Sequence, residues 1–241
     1  ANSSSGRRST VLDIKNLTNE SVSLKLILLY LLKNTVSKVF IEKNKQEELI
    51  ETINSIRDIP EQQINTLHDL QPILDFWYYT KLLGYKDEYK PSESLVKQFV
   101  SEEKITSIDK PIDAAYMYVY IRILIECDYN KFNYLEKHFS FLKSIAVDSM
   151  VYGYYLTHVI LYDVKFGKVK ASPATSIDAL NELSSFCKNN LRFDRGEIDL
   201  MGEIILCCNL LNVTDFPYYS KMLSLINQIN NYLDLHEQAV L

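Results

Sequence analysis

Apolar residues recur three and four positions apart along almost the whole chain, and the strict alternation of a half-buried strand is nearly absent. Ile73, Leu74, Trp77, Tyr78 and Leu82 show the spacing, as do Leu135, Phe139, Leu142 and Ile145. The pattern predicts an all-α protein. Helices are expected to begin near Ser21, Leu67, Pro111, Met150 and Glu197. Each is followed by a second helix, over roughly 45–57, 92–103, 131–147, 174–190 and 218–236. The recurrence of about 40–47 residues with two helices per unit is the period of a helical-hairpin array. A tetratricopeptide array would need about 34.

Punctuation falls where such an array requires it. Pro111 sits at a helix start, where its missing N–H costs nothing. Pro91-Ser92-Glu93-Ser94 and Ser172-Pro173 precede second helices, and Gly167 follows an apolar helix as a C-cap glycine does. The first helices of the pairs, such as "AAYMYVYIRILIECD" and "MVYGYYLTHVILYDV", are apolar nearly all round. The second, such as "IDALNELSSFCKNN", are amphipathic. An element apolar on every side belongs inside and an amphipathic one outside. About five hairpins are therefore expected, with inner and outer helices alternating in an α/α toroid or a short solenoid. Residues 1–20 read as a flexible tail or expression remnant, and 21–241 as one α/α-hairpin repeat domain.

Composition changes this picture little. The chain has 241 residues, 47% of them hydrophobic, with 26 basic and 31 acidic side chains and a formal net charge of −5. That balance disfavours a non-specific nucleic-acid binder. The apolar run 24–32 is about half a bilayer span and contains Lys25, so no membrane span is expected. Four cysteines, two of them adjacent at 207 and 208 and none in a C-x-x-C pair, suit reduced thiols in a cytoplasmic protein. No cofactor and no metal site are expected.

Polar residues on otherwise apolar inner helices are the candidates for chemistry, because a buried polar group needs a partner. Asp75 and Tyr79 lie i, i+4 on one inner helix, and Tyr118, Arg122 and Glu126 repeat that spacing on the next. His158 shares a face with Tyr154, Tyr155 and Tyr162. Asp199, Glu203 and Cys207 form a stripe through the last inner helix. Each has a plainer reading. Arg122 and Glu126 can be a helix ion pair, Asp199 a first-turn carboxylate favoured by the helix dipole, and His158 a core histidine bonded to a neighbour. The sharper reading is a central cavity in which His158, Glu203, Asp199 and Asp75 converge, walled by Tyr79, Tyr155, Tyr162 and Arg122. His158 and Glu203 are its candidate acid and base.

Leu156, Thr157, His158, Tyr162, Phe166 and Gly167, with the Asp199-x-x-x-Glu203 helix, resemble a bacterial family of α/α-toroid-like helical proteins. Lys165 occupies a position that is acidic in the family pattern. The resemblance implies a fold shaped like the terpenoid cyclases and protein prenyltransferases and carries no activity with it. The D-D-x-x-D and D-x-D-D clusters of terpenoid cyclases are missing, as are the P-loop, G-x-S-x-G and H-E-x-x-H. The expectation is a binding or accessory protein whose Tyr-lined pocket takes a peptide or small organic ligand. The alternatives are an enzyme, a hydrolase or a cyclase in peptide natural-product maturation, and a scaffold for another protein.

Overall fold

A computed structural model describes residues 64–82, 90–169, 173–194 and 197–228. The expected first hairpin and the tail at 1–20 lie outside the described residues. Every regular element among the described residues is helical. In chain order these are α1 (Gln71–Leu82), α2 (Glu93–Phe99), α3 (Glu102–Thr106), α4 (Pro111–Cys127), α5 (Tyr129–Phe132), α6 (Phe139–Ala146), α7 (Val151–Asp163), α8 (Ala174–Asn189) and α9 (Ile198–Leu210). A further helix occupies 219–228.

Local chemistry sets the boundaries. Ahead of α1, the Asp69 carboxylate accepts from the Asn65 and Thr66 N–H groups while the Thr66 hydroxyl accepts from the Asp69 N–H, a reciprocal cap on the entering turn. The helix expected over 92–103 is two short ones. Ser92 caps α2 by accepting from the Leu95 N–H, and Ser101 caps α3 by accepting from the Lys104 N–H. A second capping serine restarts the helix, because its extended backbone breaks the first. The helix expected over 131–147 is likewise divided, with a 3₁₀ segment at Asn133–His138 between α5 and α6.

Burial separates two layers. In α4, eleven of seventeen residues are buried and Ile112 is exposed, so the helix is covered over most of its surface. It packs between α1 and α7, and α7 packs in turn on α9. The inner helices therefore follow one another in chain order. α6 lies over α4 and α7, and α8 lies over α7 and touches α9. Each buries a single stripe, Leu142 and Ala146 in α6 and Ala179, Leu180, Leu183, Phe186 and Cys187 in α8. Burying one such leucine or phenylalanine contributes about 1.5–3 kcal/mol.

Two close approaches fix the inner layer. A Cβ on Gly153 would stand 2.7 Å from both Leu200 and Phe186. The missing side chain lets α7, α8 and α9 meet. After α7 the chain turns through three left-handed residues, Lys165 (φ 48°), Phe166 (φ 50°) and Gly167 (φ 90°). Gly167 suits that region at no steric cost, whereas Lys165 and Phe166 are held there by context. Phe166 is buried and packs edge-on against Tyr79 and Tyr162. Lys165 bonds Glu126 at 2.5 Å. No described helix is long and apolar enough to cross a membrane.

Candidate functional site

The four inner helices enclose a cavity of about 410 Å³. α1 contributes Gln71, Asp75 and Tyr79, one turn apart on one face. α4 supplies an apolar and aromatic wall of Ile112, Ala115, Tyr116 and Val119. Val151, Tyr154, His158 and Tyr162 come from α7, and Asp199 and Glu203 from α9. Helical periodicity explains the lining. On each helix these residues recur at three- and four-residue steps, so they point one way while intervening residues enter the core.

Asp75 is buried, with hydrogen bonds from Gln71 and Tyr162. Loss of solvent pushes its carboxyl up to about 7, against the pull of those two donors and of His158. Tyr162 also hydrogen-bonds Tyr79, and burial raises both phenols well above their ordinary range. They act as hydrogen-bonding hydroxyls.

His158 is half-buried. Its Nδ1 lies 2.6 Å from the Tyr154 carbonyl oxygen. A carbonyl only accepts, so Nδ1 carries a proton and Nε2 is the ring nitrogen left to the cavity.

Glu203 is also raised, first by burial and then by the charge of Asp199, while His158 and Thr157 oppose the shift. The Thr157 hydroxyl is 2.5 Å from Glu203 Oε2 and 2.9 Å from the Tyr154 carbonyl. It has one proton and faces two acceptors, so the hydroxyl divides its donation between Glu203 and the Tyr154 carbonyl. No hydrogen bond joins His158 to Glu203; each is anchored to α7 instead. Asp199 is exposed at the mouth, hydrogen-bonded to Tyr154.

Six of the eight candidates named from the sequence thus line one cavity: Asp75, Tyr79, His158, Tyr162, Asp199 and Glu203. Arg122 and Tyr155 do not. They border a second cleft, of about 310 Å³, between the inner helices α4 and α7 and the outer helices α6 and α8. Arg122 Nη2 donates to Asp163 at 2.9 Å and stands 3.9 Å from Glu126. Asp163 also accepts from Thr175 and Ser176. The Tyr155 hydroxyl reaches the Phe139 carbonyl, and its ring packs on Tyr118. The reason is rotational: Tyr155 is one residue past Tyr154, about 100° around α7. Cys207 leaves the stripe as well. It is fully buried, its thiol 3.6 Å from the Thr157 carbonyl.

Gln71, Tyr116, Tyr154 and Thr157 are site or supporting residues that the candidate set omitted. Tyr154 and Gln71 carry a usable signal, one turn before His158 and Asp75. Among the described residues no three His, Cys, Asp or Glu side chains are grouped to hold a metal ion.

Fold and site together define a class, an all-α protein with stacked inner helices and a cavity lined by acids, histidine and tyrosine. No family model matches the chain, and neither a curated protein nor a solved structure matches it.

Proposed function

We propose that the protein is a binding or accessory protein that holds a small organic ligand or a peptide side chain in the cavity between α1, α4, α7 and α9. One observation carries this reading. Three inner helices, α1, α7 and α9, turn Gln71, Asp75, His158, Asp199 and Glu203 toward a common space walled by α4, and among the described lining residues Asp75 and Glu203 have no lysine or arginine beside them. A folded chain keeps such an arrangement at a cost to its own stability, and a guest that bonds the carboxyls offsets it. The reading extends to five hairpins in a toroid or short solenoid, akin to the bacterial family that the Leu156–Gly167 segment resembles. A cytoplasmic setting for the four buried free thiols belongs to the same proposal. Native mass spectrometry of the purified chain tests it. A retained small molecule, lost in the His158→Ala/Glu203→Gln double variant at unchanged or higher melting temperature, is the expected result. A large fall in melting temperature with nothing retained by the parent chain overturns it.

A second reading is acid/base catalysis, a hydrolase or cyclase acting on peptides. Its support is the His158 tautomer, which presents Nε2 to the cavity near a carboxyl of raised proton affinity. The absence of a His158–Glu203 hydrogen bond leaves binding ahead. Peptide turnover abolished by His158→Ala, with ligand affinity retained, would reverse that order. The scaffold reading draws on no particular observation.

A further inference from the structure

We propose that the guest of this cavity is an organic ammonium group, borne by a free amine or by a lysine side chain, seated between Asp75 and Glu203 with its carbon skeleton against Tyr79, Tyr116, Tyr154 and Tyr162. The inference rests on the ligand-binding reading and names the chemistry of the ligand.

Charge decides among the possible guests. Among the described residues the lining carries three carboxyl groups and one imidazole, and no lysine or arginine. An anion would enter against Asp75, Asp199 and Glu203. A purely apolar guest would displace water from Asp75 and Glu203 and return no bond, which costs more than the contact gains. A bare metal ion is too small for about 410 Å³ of space, and among the described residues no set of three ligating side chains converges on a point. An alkylammonium suits what remains. It brings donors to carboxyl oxygens and positive charge to aromatic faces.

Acceptor capacity is available for it. Asp75 accepts from Gln71 and Tyr162, and a carboxylate has roughly four lone-pair sites. Thr157 occupies Oε2 of Glu203, and no described hydrogen bond uses Oε1. Asp199, exposed at the mouth, adds an attractive field along the entry path.

Proton linkage gives the proposal a signature. Asp75 faces Tyr79 on its own helix, Tyr116 and Tyr120 on α4, His158 and Tyr162 on α7, and Asp199 and Glu203 across the cavity on α9. Of these only His158 can supply positive charge. An arriving ammonium stabilises the Asp75 carboxylate, so below about pH 7 binding expels its proton. Glu203, raised in the same direction, adds to the release. Both effects make binding tighter as pH rises.

The test is isothermal calorimetry on the full chain with four probes: phenethylamine, 2-phenylethanol, 3-phenylpropionate and the peptide acetyl-Gly-Lys-Gly-amide. Each is measured at pH 6 and pH 8 in two buffers of different ionisation enthalpy. The amine or the lysine peptide should bind, and whichever binds identifies the source of the ammonium. Its affinity should rise about tenfold from pH 6 to pH 8, with close to one proton released at pH 6. Asp75→Asn should weaken it about tenfold or more at pH 8 without lowering the melting temperature. Equal or tighter binding of the alcohol or the carboxylate, or an amine affinity indifferent to Asp75→Asn, overturns the ammonium assignment and leaves the binding pocket standing. Failure of all four probes, with a molecule retained in native mass spectrometry, also overturns the assignment alone. Failure of all four with nothing retained overturns both.

Discussion

The inner helices α4 and α7 bury polar groups on two faces, and the two faces treat them in opposite ways. Toward the outer layer, Arg122 meets Asp163 and Glu126, Lys165 closes on Glu126, and Tyr152 and Lys143 close on Glu182. Nearly every charge there has an opposite charge or a hydroxyl within bonding distance. Toward the cavity, Asp75 and Glu203 have hydroxyl and amide donors and one imidazole. Glu182, less buried and paired with Lys143 and Tyr152, is held below the usual carboxylate range, whereas Asp75 is pushed up to about 7. Burial alone therefore does not set a carboxyl's proton affinity; what separates the two faces is whether neighbouring charges cancel its cost.

Breaking the paired face should have the largest effect. Arg122→Ala takes the guanidinium from the largely buried Asp163 carboxylate, leaving it the Thr175 and Ser176 hydroxyls, and should cost about 4 kcal/mol in chemical denaturation. The cavity face should respond with the opposite sign. Folding raises the Asp75 carboxyl from its ordinary 3.8 to about 7. The folded chain thus holds a proton that the unfolded chain has lost. That advantage is complete below 3.8 and is lost as pH rises through 7. Asp75→Asn should accordingly be near neutral at pH 4 and stabilising by about 3 kcal/mol at pH 8, seen as a flattened dependence of melting temperature on pH. A loss of stability at pH 8 would end the contrast between the faces.

Smaller changes sharpen it. Thr157→Val removes the hydroxyl that Glu203 and the Tyr154 carbonyl share, and should cost about 1.5 kcal/mol in urea titrations. Lys143→Ala breaks a half-exposed pair with Glu182 and should cost no more than about 0.5 kcal/mol, vanishing in high salt.

Periodicity read the inner helices well because each is apolar over three or four turns. Pro111, Met150 and Glu197 fall within a residue of the observed starts of α4, α7 and α9. The outer helices were harder. The break between α2 and α3 turns on Ser101, whose Ser-Glu start repeats that of the Ser92 cap, a signal passed over in expecting one helix over 92–103. The 3₁₀ stretch at Asn133–His138 carries no such punctuation. In the site, the side chains on α1 and α9 were legible because each is polar in an apolar run. Arg122 was misassigned for the converse reason. α4 is buried on nearly every side, so its sequence has no amphipathic phase to say which neighbour a polar residue meets. Asp163, the partner that decides the matter, lies 41 positions away.

Gly153 is not among the residues that line the cavity, yet it sets how closely α9 approaches α7. Its bare Cα lets Leu200 approach α7, and Leu200 is the neighbour of Asp199 on α9. Alanine there would press on both Leu200 and the rigid Phe186 ring, and the relief open to α9 is outward movement, carrying Asp199 and Glu203 with it. Position 153 is thus an adjusting screw set outside the chamber. Stepping it from glycine to alanine to serine would change the spacing of α7 and α9 without changing the identity of any lining side chain.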